Sequence, residues 1–472
     1  MGQRMRRRHV WWLGVIALGT LVVASQVWAA RSSGEDTPPQ PEAPVAQALP
    51  TATPGFGPII TAPPQPTPTP GGPPTATPVP PTRTPTPGGA APTITPTPSI
   101  SPTPLPTLTA DLMGIQLNPN TSLEGYDTSL WLAERLGVKW IKLQFAWDQL
   151  EPQRGVLSET FYTYRILVQR ANQKGFKVMI SVAKAPDWAR ASQEEDGPPV
   201  NPQDLASFLT RIMSEVRVDL YGNSYFAAIE VWNEPNLRRE WNGAPLGGAE
   251  YMRLFDAAYN AIRSGEGGHS VTIVTAGLAP TGINDGVTAI DDREFLRQMY
   301  AAGLGNPAYQ NIAIGVHPYG AANPPDARWC GQDDCGAPGY NNHPSWFFLN
   351  TIEDYRAIME QNGDTGRQLW ATEFGWGTYE GFTTVEGDPA PPPDDPPYLQ
   401  WIDQETQANY ILRAFEIAQS KPYMGPMILW NLDYSNQELI DARDPRAAYA
   451  LLRGGTDPLR PAFKLLEAAP KR

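Results

Sequence analysis

Two glutamates stand in the same local setting. Glu234 lies in "EVWNEPNL" (230–237) and Glu373 in "LWATEFGWGT" (369–378), each directly behind an apolar run. A pair of carboxylates can divide the work of bond cleavage. One is ionised and attacks, while the other is protonated and donates to the leaving group. The two roles need different surroundings. The acid needs a raised pKa, from partial burial and nearby negative charge, and the nucleophile needs hydrogen-bond donors. The fold must therefore bring together residues 139 positions apart in the chain.

From residue 110 onward, short apolar runs alternate with amphipathic stretches. Eight runs read as strands: 113–118, 140–147, 177–184, 227–234, 271–278, 312–319, 369–374 and 427–432. Helical patterns lie between them. "NPQDLASFLTRIMSEVRVDLYG" opens on an N-cap asparagine with proline at the first helical position and apolar residues at i, i+3, i+4 spacing. "TSLWLAERLG" and "FYTYRILVQRANQKG" end on glycine C-cap signals. Eight strand-then-helix units predict an α/β protein, a (β/α)8 TIM barrel over 110–472. The alternative is an open doubly wound sheet, apolar on both faces. Strand parity favours the barrel. Trp140, Lys142, Gln144 and Ala146 alternate with Ile141, Leu143, Phe145 and Trp147; Ala313, Gly315, His317 and Tyr319 alternate with Ile312, Ile314 and Val316. One parity is apolar and suits a helix layer. The other is polar or small and suits a barrel interior.

In such barrels the site lies at the C-terminal ends of the strands. Those ends carry Lys142, Gln144 and Trp147 on strand 2, and Lys184 and Trp188 on and after strand 3. Asn233 and Glu234 end strand 4, and His317 and Tyr319 end strand 6. Glu373 and Trp376 follow strand 7, and Trp430 and Asn431 end strand 8. Strands 4 and 7 face each other obliquely, so the two carboxylates are expected to approach to ~5 Å, the separation that suits glycoside hydrolysis with retention. Tyr319 is placed to donate to Glu373, and Asn233 to bond a sugar 2-hydroxyl. Glu230 shares the parity of Glu234 and reads as an interior carboxylate paired with Lys142 or Lys184. Tryptophan faces stack on sugar rings, which makes Trp147, Trp188, Trp376 and Trp430 candidate platforms; packing within loops is the plain alternative for each.

The sequence resembles glycoside hydrolase clan A, the retaining (β/α)8 hydrolases. "WNEPN" after strand 4, "TEFGW" at strand 7 and "FAWDQLEPQRGV" after strand 2 carry the likeness, which covers essentially all of 110–472. Families 39 and 5 are closest in character. The resemblance implies Glu234 as acid/base and Glu373 as nucleophile. It also implies His317 or Tyr319 as the strand-6 partner and Trp430 as the sugar platform. One departure concerns the cellulase pattern of an arginine from strand 2 and a histidine from strand 3. Here those regions offer Lys142 and Lys184, which leaves the sugar open.

Composition sets the frame. Arg4, Arg6, Arg7 and Arg8 precede an uncharged run from Val10 to Ala30 that fits either a cleaved signal peptide or an uncleaved membrane anchor. Both place the remainder outside the cell or at its surface. Residues 31–109 form a Pro/Thr-rich linker; 37–109 hold 25 of the 52 prolines, and an extended spacer without chemistry is expected. Residues 110–472 carry 30 Lys and Arg against 46 Asp and Glu, which argues against nucleic acid and favours a neutral carbohydrate substrate. The four histidines form no ligand cluster, and no metal or organic cofactor is implied. Cys330 and Cys335 are expected to form a small disulfide loop. The long loop 378–406 either shapes a subsite through Tyr398 and Trp401 or is a proline-stiffened insertion.

The reading is an exported, monomeric, retaining glycoside hydrolase acting on a β-linked neutral glycan. The rivals are a surface glycan-binding protein that holds polysaccharide without cleaving it, and a transglycosylase using the same residues.

Overall fold

The computed structural model describes residues 104–472, except 193–195 and 333–334. The expected signal or anchor segment and the linker up to 103 lie outside the described residues. Eight strands, β1 (Met113–Gln116), β2 (Trp140–Ala146), β3 (Lys177–Ala183), β4 (Ala228–Val231), β5 (Thr272–Thr275), β6 (Ile312–Val316), β7 (Leu369–Phe374) and β8 (Met424–Leu429), form a closed barrel in sequence order. Neighbouring strands run parallel, and β8 pairs with β1. A helix follows each strand: α1 (Leu123–Leu136), α2 (Glu159–Gln173), α3 (Pro202–Val216), α4 (Gly248–Ser264), α5 (Asp292–Ala301), α6 (Phe348–Gln361), α7 (Gln404–Gln419) and α8 (Pro461–Ala468). The fold is the (β/α)8 barrel.

The caps follow the sequence. Asn201 accepts from the amide of Gln203 with Pro202 at the first position of α3, and Gly137 ends α1 in the left-handed region at φ 72°. The parity of the strands also holds. Ile141, Leu143, Phe145, Ile312, Ile314 and Val316 are buried in the core between sheet and helices. Inside the barrel, a floor of Trp140, Met179, Ala228, Val274, Ala313, Trp370 and Ile428 closes the N-terminal end, with Trp140 edge-on to Trp370 at 5.1 Å. Above it the interior turns polar, with Gln116, Lys142, Ser181, Glu230 and Thr372 all buried.

Seven of the eight strands end earlier than their apolar runs. The last residues of each run leave the sheet to build the mouth; Lys184, Trp232 and Glu234 adopt positive φ there. The exception is β7, which ends at Phe374 as expected, and β8 also starts three residues early, at Met424. β8 carries one extra residue opposite Leu369–Ala371, in the stretch that holds Gly425 and Pro426. Such a bulge is where a strand tolerates proline, and Trp370 packs so closely on Gly425 that a Cβ there would lie 2.2 Å from its indole. The boundary expected at 110 is also corrected. Leu108 is buried, its amide donates to the carbonyl of Pro470 at 2.8 Å, and that of Arg472 donates back to it at 2.9 Å. The end of the proline-rich stretch is thus tied to the C-terminus. Cys330 and Cys335 are bonded, with Cα atoms 6.0 Å apart.

Candidate active site

Glu234 owes its position to a turn that strand propensity does not foretell. β4 ends at Val231. Trp232 and Glu234 then take φ of 76° and 43°, a conformation that costs a non-glycine residue about 1–3 kcal/mol. The surroundings fix it. Trp232 swings out to the helix layer, edge-on to Trp241, and its indole N–H donates to the carbonyl of Glu240 at 3.0 Å. The amide of Glu234 donates to the carbonyl of Gly277 at 3.1 Å. Asn236, fully buried, donates to the carbonyls of Ala279 and Ile290 and accepts from the amide of Ala279 at 2.9 Å, which locks the loop after β4 to the loop after β5.

Glu373 is aimed by a second bulge. Trp370 and Thr372 face the interior, so simple alternation would turn Glu373 outward. β7 carries one extra residue between Ala371 and Phe374 relative to β8. The side chain of Glu373 therefore also reaches inward, as bulges beside active sites permit.

An alternating line of charges joins the two glutamates. Lys142 Nζ lies 3.0 Å from Glu373 Oε1 and 3.0 Å from Glu230 Oε2, and it donates to the carbonyl of Thr372 at 3.0 Å. His317 continues the line, with Nε2 3.8 Å from Glu230 Oε1 and Nδ1 3.1 Å from Glu234 Oε1. Arg239 ends it, donating from Nη2 to Glu234 Oε2 at 2.8 Å. Three carboxylates and three cations compensate one another. Burial would lower the His317 imidazole, but the charge of Glu373 and the contacts to Glu230 and Glu234 outweigh it and push it up to about 9. Burial opposes the charge on Lys142 as well, yet Glu230 and Glu373 hold its ammonium above the ordinary range. Glu230 is held well below the usual carboxylate range, because Lys142 and His317 together outweigh its burial. Lys142 is thus the partner of Glu230. Lys184 pairs elsewhere, with Asp196 at 2.7 Å.

One expectation is overturned. An acid with a raised pKa was expected at Glu234. Burial alone would raise it, but the hydrogen bond from His317 and the charge of Arg239 hold the carboxyl below the usual range.

The aromatic residues divide into two groups. Tyr319 donates to Glu373 Oε2 at 3.0 Å, and burial together with the Glu373 charge keeps its hydroxyl protonated. Trp430 lies between Tyr434, stacked at 6.2 Å, and Tyr449, edge-on at 5.2 Å; Tyr449 also meets Tyr319 at 5.8 Å. Asn233 is buried with its amide oxygen unpartnered, a group poised for a ligand hydroxyl. The other three tryptophans stand apart from this cluster. Trp147 starts a short helix on the outward parity of β2; it stacks on Phe208 at 5.3 Å and donates to Glu151 at 2.8 Å. Trp188 donates to the carbonyl of Glu151 under the guanidinium of Arg154. Trp376 is buried against Phe348 and Tyr410, its N–H on the carbonyl of Asn323 at 2.8 Å. All three pack the scaffold. In the long loop Tyr398 is buried, its hydroxyl 2.8 Å from that of Tyr449, while Trp401 is 42% exposed. Tyr398 therefore buttresses the site from behind and does not line a subsite.

Sequence reasoning missed Arg239, Asn236, Gly277 and Tyr449. "NEPNLRRE" contains the first two and signals a structured loop there. A Cβ on Gly277 would lie 2.2 Å from the His317 ring and 2.6 Å from Thr372 Oγ1, so only glycine admits the histidine. Tyr449 belongs to the loop after β8 and carries no local signal.

A closed eight-stranded barrel with a carboxylate behind β4, another on β7 and a charge line between them defines the class: a clan A glycoside hydrolase. A family model described as cellulase (glycosyl hydrolase family 5) matches residues 109–412, and the chain belongs to that family. Solved structures agree on the fold. A family 39 glycoside hydrolase from the gut symbiont Bacteroides cellulosilyticus WH2 is similar at 19% identity and a TM-score of 0.53, over 77% of this chain and 64% of that one. The chain thus spans just under two thirds of that protein's length. A GH5_18 protein from Bifidobacterium longum subsp. infantis is similar at 10% identity and a TM-score of 0.53, over 77% and 78%. A glucosidase from Croceicoccus marinus follows at 12% identity and 0.50, over 77% and 68%. No curated protein matches the sequence. Family membership supports glycosidase activity on a carbohydrate.

Proposed function

We propose that the protein is a retaining glycoside hydrolase that cleaves a β-linked neutral poly- or oligosaccharide by double displacement. One observation carries the reading. Glu373 accepts hydrogen bonds from Lys142 and Tyr319, the donors a nucleophilic carboxylate needs, while Glu234 faces the same mouth from β4. Glu373 attacks the anomeric carbon and the bond to the leaving oxygen breaks. Glu234 supplies the proton that oxygen takes up. Water, deprotonated by Glu234, then attacks the anomeric carbon and releases Glu373. Asn233 receives the sugar 2-hydroxyl, and Trp430 floors the sugar ring. Lys142 and Tyr319 hold the nucleophile in place through their hydrogen bonds to its two oxygens; His317 positions the acid/base.

The domain works outside the cell as a monomer. Residues 1–30 direct export, cleaved or retained as an anchor, and 31–109 act mainly as spacer. The stereochemistry is read by proton NMR of the first product formed from barley β-glucan, xylan, mannan or galactan, whichever polymer is cleaved. Retention gives the β-anomer first. Initial release of the α-anomer would overturn the double displacement.

A further inference from the structure

An acid catalyst needs one carboxyl oxygen free to carry its proton to the leaving group. In Glu234 each oxygen already faces a basic side chain. Oε1 is held by His317 at 3.1 Å and Oε2 by Arg239 at 2.8 Å. The two partners differ in their exposure. His317 is completely buried, with Gly277 packed against its ring. Arg239 sits on a three-residue turn, Arg238–Glu240, on the loop after β4, and its side chain is 31% exposed. An acid stands beside the leaving-group sugar by necessity, and a guanidinium bound to its Oε2 and partly exposed to solvent is within reach of that sugar's hydroxyls.

We propose that Arg239 is a displaceable counter-ion. It keeps Glu234 an inert carboxylate in the empty enzyme, and a saccharide entering the leaving-group subsite draws the guanidinium onto its own hydroxyls and frees Oε2 to take a proton from solvent water. The proposal rests on the reading of Glu234 as acid/base. It makes acid competence a consequence of subsite occupancy, a coupling carried by the different contacts of Arg239 in the two states.

The charges around Glu234 fit this switch. Beyond Arg239, it is faced by His317 and Tyr319 from the end of β6, by Tyr449 from the loop after β8 and by Glu240 from its own loop. Glu230 lies behind His317, and Lys184 and Asp196 from the loop after β3 act on Glu240. Burial pushes the Glu240 carboxyl up to about 8, against the pull of Arg239, so at neutral pH it is a weak competitor for the guanidinium. With Arg239 withdrawn, burial is the largest influence left on Glu234, and it raises the carboxyl toward what an acid needs.

The test compares wild type, Arg239→Ala and Arg239→Lys as full chains. Carbon-13 labelled glutamate reports the Glu234 carboxyl, identified by its loss in Glu234→Gln. The expected result is that Glu234 titrates at higher pH in Arg239→Ala and returns toward wild type in Arg239→Lys. Coincident titration in wild type and Arg239→Ala would overturn the ion pair. Turnover is then followed on the polymer of the panel above that wild type cleaves fastest. kcat/KM reports the free enzyme and kcat the loaded one. Arg239→Ala is therefore expected to move the alkaline limb of kcat/KM upward, with several-fold more of its maximum retained at the alkaline end, and to leave the limb of kcat in place. A shift in both would mean a permanent counter-ion, and a shift in neither a structural arginine; each overturns the displacement. Absence of wild-type turnover would remove the acid/base reading and the displacement with it, while the carboxyl titration still decides the ion pair.

Discussion

At the scale of the residue, the site is a balance of six charges with little water to screen them. Lys142 bridges two carboxylates and is itself fully buried. Removing one member of such a pair leaves an uncompensated buried charge, which costs about 3–5 kcal/mol. Lys142→Met is expected to lose stability in that range by urea unfolding, and adding Glu230→Gln is expected to recover part of the loss. Additive losses would mean that the two groups are not coupled. Much of this balance was legible in the sequence. Strand parity put Lys142 and Glu230 on one interior face, and the two motifs marked Glu234 and Glu373. The tryptophans were less legible, because an indole after a strand reads the same whether it faces the mouth or the helices. Trp147 followed the apolar parity of β2 outward, and that parity was the available warning.

At the scale of the element, the two glutamates reach the mouth by different backbone devices. Glu234 depends on left-handed residues after β4, and Glu373 on an extra residue in β7. Neither device shows in a local apolar pattern: β4 was read too long, and β7 was read with its true ends but without its extra residue. Gly277, just beyond β5, is the element-level test. Its Cβ would fall 2.2 Å from a histidine with no room to retreat. Gly277→Ala is expected to lower stability by about 1–3 kcal/mol, as overpacking does, and to reduce turnover by displacing His317 from Glu234. Unchanged melting temperature and turnover would show that the ring has room after all. The eight strand–helix units were legible because each keeps its period. The bulge at Gly425–Pro426 was not, because its reason is a close approach from Trp370 on the neighbouring strand.

At the scale of the whole molecule, the buried charges tie stability to pH. His317 is raised from an ordinary value of 6.5 to about 9, so its contribution is complete below pH 6.5 and lost as pH rises through 9. Glu240, raised from 4.5 to about 8, works in the same direction; the native state holds its proton more tightly, and stability falls as pH rises from 4.5 to 8. Glu230 and Glu234, held low, stabilise above the ordinary carboxylate value, and that contribution is lost as pH falls through their lowered values. Stability is expected to be greatest in mildly acid solution and to decline through pH 8. Glu240→Gln should flatten part of that alkaline decline in urea midpoints measured across pH. An unchanged slope would show that Glu240 does not titrate there.

Under the proposed function, Glu234 and Glu373 together hydrolyse a glycosidic bond. The most direct test is reducing-end release from the panel of β-glucan, xylan, mannan and galactan by wild type beside Glu373→Gln, with folding of both confirmed by circular dichroism. Release by wild type alone, with the variant folded and silent, is the expected result. Equal release by both would remove Glu373 from the chemistry. Silence from both, with a polymer still bound, would contradict the enzyme and identify a glycan-binding protein built on its barrel.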